Sequence, residues 1–125
     1  MTVTDAIRAA EALLPGREAS SGNDPRWQAI IAVGTYVATD PEPIWEFARR
    51  WASVADPDLR AAVATCLLEH LLEHHFDALY PRVADAVAED SYFADCFSQC
   101  WPLGEAGMPA NRRRFEALQE RARAI

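Results

Sequence analysis

Asp56-Pro57-Asp58-Leu59-Arg60-Ala61-Ala62-Val63 is the stretch that decides the fold. It reads as a helix start with its own mechanism. The Asp56 carboxylate accepts the orphan N–H groups of a first turn and sits at the positive end of the helix dipole. Pro57 costs nothing at the first helical position, where its missing N–H would have had no partner. The same pair occurs at Asp24-Pro25 and Asp40-Pro41, so the three starts are spaced sixteen residues apart. Sixteen residues hold a helix of about three turns and a tight turn. Helices are therefore expected to begin near residues 25, 41 and 57.

Outward from these starts, apolar residues recur at intervals of three and four, and alternation with period two is nowhere sustained. A first helix is expected over residues 3–14, capped by Thr2 or Thr4 and stopped by Pro15-Gly16. The polar stretch from Arg17 to Asn23 reads as a surface loop. Helices follow over Pro25 to Ala38, Pro41 to Val54 and Pro57 to His75. Tyr80-Pro81 suggests a start for a helix to Glu89. Asp90-Ser91 caps one from Tyr92 to Trp101. Pro102 to Gly107 reads as a loop, and Pro109 opens a last helix over residues 109–124. The chain has 125 residues, half of them hydrophobic and a quarter charged. That suits one folded domain over 1–125, all-α, with six or seven helices.

The starts conceal a longer period. An offset of 32 lays Trp27 on Leu59, Ala29 on Ala61, Ile31 on Val63 and Ala32 on Ala64. A further 34 residues bring Asp90-Ser91-Tyr92-Phe93 into register, with Phe93 at the Trp27 position and Cys100 near the Gly34 and Cys66 positions. Helix pairs repeated in this way stack into an α-solenoid. Residues 56–63 resemble the second helix of HEAT-type (armadillo-type) repeats, in which an Asp at the turn precedes an Arg and small aliphatic core residues. Pro43 to Val54 falls where the first helix of such a unit would lie. The resemblance covers about residues 24–101. It departs from the family in its period, since a HEAT unit takes about 40–47 residues. It implies a short right-handed solenoid of HEAT-like hairpins, with the helices over 3–14 and 109–124 as caps. It also implies a binding scaffold, and it carries over no catalytic residue.

Composition narrows the function classes. The formal net charge is -7, all twelve basic residues are Arg, and there is no Lys. Arg without Lys fits a GC-rich bacterial genome. No apolar run approaches the ~20 residues of a membrane span. Asp5, Arg8 and Glu11 argue against a signal peptide at the N-terminus. Three Cys, an odd number with no secretion signal, point to a reducing, cytoplasmic setting. Cys96 and Cys100 share a helix face and read as small core side chains.

One chemical cluster stands out. His70-x-x-Glu73-His74 resembles the inverted zincin motif. His70 and His74 are one turn apart, so both imidazoles can reach one zinc ion, with Asp77 as a further ligand and Glu73 as general base. A projection at 100° per residue weighs against this. With Leu59 at 0°, His70 falls at about 20° and His74 at about 60°, on the apolar stripe, while Glu69 and Glu73 fall at about 280° and 320°, on an acidic edge. The favoured expectation makes the two histidines core or groove residues and requires no cofactor. A zinc-binding or metal-dependent hydrolytic site is the alternative.

Charge is uneven along the chain. Residues 1–108 hold 17 acids and 7 Arg, a balance of -10; residues 109–125 hold 5 Arg and 2 Glu, a balance of +3. An acidic body suits a basic protein partner and makes nucleic acid an unlikely one. Trp45 and Trp51, six residues apart, cannot share one helix face, so one of them is expected near the surface as a binding anchor. Glu69, Glu73, Arg112, Arg113 and Arg114 complete the expected partner-binding set. The function expected is that of a non-enzymatic cytoplasmic binding or adaptor module, of which an immunity or inhibitor protein for a toxin would be one form.

Overall fold

The computed structural model describes residues 1–14 and 24–125. The expected stop at Pro15-Gly16 and the loop over 17–23 lie outside the described residues. Among the described residues there are seven helices and no strand. They are α1 (Val3–Leu13), α2 (Pro25–Gly34), α3 (Pro41–Trp51), α4 (57–74), α5 (Phe76–Glu89), α6 (Ser91–Ser98) and α7 (Pro109–Arg123). A single 3-10 turn, Gly104–Gly107, lies between α6 and α7.

The caps explain most of the starts. Thr2 closes a capping box with Asp5 at the head of α1. Asp24 accepts from the Arg26 amide, and Asp56 accepts from those of Asp58 and Leu59. Asp90 accepts from the amides of Tyr92 and Phe93. Asp40 behaves differently: it makes no side-chain cap, and its carboxylate takes the Thr39 hydroxyl instead. The start at α3 therefore rests on Pro41, preset for the first helical turn. The expected start at Tyr80-Pro81 is also corrected. Helix α5 begins at Phe76, whose amide donates to Glu105 Oε1 at 3.0 Å, and Pro81 lies inside it. Proline there forfeits one bond to the Asp77 carbonyl near the helix start, where the loss is tolerable.

Arg26 joins two of the caps. Its guanidinium is buried and meets Asp24, Asp56 and Asp58 at 3.3, 3.1 and 3.2 Å. Trp27 Nε1 donates to Asp58 as well, at 3.0 Å. Arg49 reaches Asp90, and Arg60 reaches Asp95 and the carbonyls of Val54 and Ala55. Helix α4 is the centre of the molecule. It packs against α2, α3, α5 and α6, while α1 covers α2 and α3 and α7 covers α5 and α6. Leu67, Leu68, Leu71, Leu72, Phe76, Phe93, Phe97 and Phe115 are fully buried there. Gly34 permits the closest approach. A Cβ at that position would lie 2.6 Å from the Cys66 carbonyl oxygen, a backbone atom that cannot swing aside.

Helix α4 is not a uniform α-helix. Pro57–Val63 and Glu69–His74 are α-helical, but Ala64–Leu68 form a π turn. A π turn holds one extra residue, so everything after it is rotated back by about 100°. Leu71 thereby inherits the stripe that Leu59 begins. His70 and His74 move off it. The faces expected beyond residue 68 are thus corrected: Glu69 is buried, His70 and Glu73 are half-buried and His74 is exposed.

Two outcomes follow for stability. Arg26→Met leaves three carboxylates without their shared cation and should lower unfolding free energy by about 2–4 kcal/mol, toward the lower end because Asp56 and Asp58 keep some solvent. Burial alone would push the Asp56 carboxyl up, but the Arg26 guanidinium and the Asp58 and Leu59 amides outweigh it and hold it below the ordinary carboxylate value. A carboxyl lowered in the folded state stabilises above its unfolded value near 3.9 and loses that contribution as pH falls through the folded value. Denaturant titrations from pH 6 to pH 3 should show a smaller acid loss in Arg26→Met than in the native chain. Gly34→Ala should cost about 1–3 kcal/mol by forcing α2 from α4, despite the better helix propensity of alanine; thermal unfolding checks this.

Candidate functional site

The residues singled out in the sequence fall in two places. The first is a groove of about 390 Å³ between the end of α2 and the π turn of α4. Ile31, Gly34 and Val37 line one side; Thr65, Cys66, His70 and His74 line the other. His70 Nδ1 lies 2.8 Å from Glu73 Oε1, and His74 Nε2 lies 3.5 Å from the same oxygen. His75 holds the Val37 carbonyl at 2.9 Å, which fixes the end of α4 to the turn after α2. Asp77 does not join this cluster. The helix breaks at His75, and Asp77 sits exposed in the first turn of α5. Among the described residues no three His, Cys, Asp or Glu side chains are gathered so that they could hold a metal ion. The expected set of His70, His74 and Asp77 is thereby reduced to a histidine pair.

The thiols offer no nucleophile either. Cys66 is half-buried, and burial pushes its thiol up. Burial pushes Cys96 up to about 12, and it raises Cys100 well above the ordinary thiol value. A reactive cysteine needs the opposite shift.

The second place is the segment from Cys100 to Met108. Glu69, expected on an acidic outer edge, is buried and accepts the Trp101 amide at 3.0 Å. Glu73 packs against Gly104, whose φ of 49° is open to glycine and whose missing Cβ would lie 2.6 Å from Glu73 Cγ. Glu105 returns to cap α5 at Phe76. Gln119, buried on α7, donates to the carbonyls of Cys100 at 2.7 Å and Phe97 at 3.4 Å. Asn111 donates to the Glu105 carbonyl. Glu69 thus serves inside the molecule as an anchor of this loop, while Glu73 lies half-buried against it.

The two tryptophans of the expected set differ in burial. Trp45 is buried with its ring edge-on to Phe93, at 5.9 Å between centroids. Trp51 is half-buried beside Phe47, under the Arg50 guanidinium, with its indole N–H enclosed. Trp51 is the more exposed of the two. The exposed tryptophan is Trp101, at 69%. The arginines of α7 divide. Arg112 pairs with Glu116 at 2.6 Å, and Arg114 covers the rings of Phe76 and Tyr80. Arg113 is exposed and, among the described residues, forms no ion pair.

Trp101 stands beside a second groove, of about 480 Å³, between the end of α6 and α7. Arg112, Glu116, Glu120 and Arg123 line its far wall. The helix expected from Tyr92 to Trp101 ends instead at Ser98. Trp101 lies past the last helical position of α6 and directly before Pro102, outside any buried helix face. Compared with models of protein families, with curated proteins and with solved structures, the chain matches none.

The Glu69 anchor can be tested directly. Burial pushes the Glu69 carboxyl up, only partly offset by the Trp101 amide. A carboxyl raised in the folded state penalises folding above that value and is relieved as pH falls. Glu69→Gln removes the charge and keeps an acceptor for the Trp101 amide, so its stability at pH 7 should equal or exceed that of the native chain. Glu69→Leu strands that amide and should cost about 1–3 kcal/mol. Hydrogen exchange at the Trp101 amide should accelerate only in the leucine variant.

Proposed function

We propose that this chain is a non-enzymatic protein-binding module. In this reading it is a short cytoplasmic stack of HEAT-like helical hairpins that presents a rigid surface to a protein partner. The observation that carries the reading is Trp101, an indole 69% exposed on a backbone fixed by Glu69 and Gln119. A large exposed aromatic costs a monomer solubility and gives it nothing. On a backbone fixed before contact, it lowers the entropy of docking and serves as an anchor. Met108, 58% exposed, adds apolar surface at the other end of the same loop. The alternation of Asp-capped helices supports the repeat architecture, since α2, α4 and α6 all begin at such caps and lie side by side. No helix among the described residues is long and apolar enough to cross a membrane. The acidic balance supports a basic partner, as in an immunity-type inhibitor of a basic toxin.

The test is capture from a lysate of the source cells on the immobilised full chain, read by mass spectrometry. A protein retained by the native chain and lost with Trp101→Ala supports the reading. Identical capture by both chains overturns it. Because the Trp101 ring is exposed, the variant should keep the native circular dichroism and unfold within about 0.5 kcal/mol of the parent.

A further inference from the structure

We infer that His70 and His74 chelate one divalent transition-metal ion of the class that imidazole prefers, such as zinc, with Glu73 turning to complete the site. No reaction is assigned to the ion, and the inference stands apart from the protein-binding reading.

The two imidazoles are one turn apart on a helix, a spacing at which both can reach one ion. The structure brings them to a single atom. Glu73 Oε1 lies 2.8 Å from His70 Nδ1 and 3.5 Å from His74 Nε2. Ligands bound tetrahedrally at 2.0–2.1 Å from a zinc ion stand about 3.3 Å from one another, so these separations are of the right size. As the side chains stand, His70 and Glu73 share a hydrogen bond, and among the described residues no three donors surround one point. Glu73 has the freedom to change this. Its side chain is half-buried, and among the described residues its carboxylate is hydrogen-bonded to His70 alone. A turn of that side chain lets the ion take the place of the shared proton. Two imidazole nitrogens and one carboxylate oxygen then close on it, with water in the fourth position.

The surroundings favour such an ion. His74 is exposed and makes no hydrogen bond among the described residues, so its ring nitrogen gives up no partner. His75 differs, because its Nε2 is taken by the Val37 carbonyl. On the far edge of the His70 ring, Nε2 lies 3.9 Å from the buried Glu69 carboxylate. Metal-bound histidines are characteristically backed by a carboxylate in this way, which orients the ring and raises its basicity. No guanidinium lines the groove, and the net charge of -7 draws cations toward it. Calcium and magnesium take mostly oxygen ligands, whereas two imidazoles suit zinc and its neighbours in the transition series. Glu73 also rests on Gly104, so an ion held there bears on the loop that carries Trp101.

The probe is zinc chloride, titrated near neutral pH into the tag-free, chelator-treated full chain labelled with 15N and read on the imidazole signals. Zinc should move His70 and His74 together, saturate at one ion per chain, and leave His75 in place. Excess magnesium should not displace it. Even an outer partner of a metal ligand carries about tenfold in affinity. By calorimetry, His74→Ala should therefore weaken zinc at least that much, and the exposure of His74 lets this variant keep the native fold. Zinc should also raise the melting temperature of the native chain and leave that of His74→Ala unchanged. The inference is overturned if zinc moves no histidine or all three alike, if His74→Ala binds it as the native chain does, or if magnesium displaces it. Any of these results means an adventitious ion only and leaves the protein-binding reading as it stands.

Discussion

The buried guanidinium of Arg26 is the constraint on which the rest of this structure depends. A single cation holds Asp24, Asp56 and Asp58, and thereby the heads of two helices that start 32 residues apart. Caps are ordinarily local devices, each serving its own helix. Here they are tied to one another across the interior. Once α2 and α4 share an origin, Gly34 must meet the Cys66 carbonyl, and the π turn lies at that contact. The same logic recurs where Arg49 reaches Asp90 and sets the head of α6 against the end of α3.

The π turn is the second determinant, and it decides what the surface displays. By adding one residue it carries Leu71 into the core, turns His74 outward and brings Glu69 under the loop after α6. A strict α-helix would put both histidines inside and leave that loop without its buried acceptor. The segment that looks most like a metalloprotease motif is thus a structural joint. Glu73 steadies two imidazoles on one side and rests against Gly104 on the other.

What the sequence discloses, and what it withholds, follows from the range of the forces involved. The helix starts at Pro25, Pro41, Pro57 and Pro109 were legible because capping and proline geometry act within three or four residues. The all-helical class followed from spacing over a single turn. The start of α5 was not legible, since its cap comes from Glu105, 29 residues later. Nor was the π turn, because Ala64-Thr65-Cys66-Leu67-Leu68 has no composition that distinguishes it from an ordinary helix. The faces of α4 after the π turn were therefore assigned about 100° out of register, and the expected site went with them. The exposed tryptophan was not legible, since apolar spacing carries the expected helix from Tyr92 through Trp101, whereas it ends at Ser98. Its presentation depends on Glu69 and Gln119, which no local pattern connects to it.

The Glu105 cap also bears on how the chain becomes structured during synthesis. Helix α5 has no acceptor of its own for the Phe76 amide, and Glu69 has no amide to receive until Trp101 exists. A chain emerging from its N-terminus can order the Arg26 cluster once residue 58 is available. The contacts that close the second half need residues as late as Glu105. Arrays of repeats commonly grow unit by unit from any nucleus. Here the Glu69 carboxylate and the Phe76 amide stay without their partners until Trp101 and Glu105 are made, so a translation product halted between residues 97 and 100 would carry Phe76, Phe93 and Phe97 without either contact.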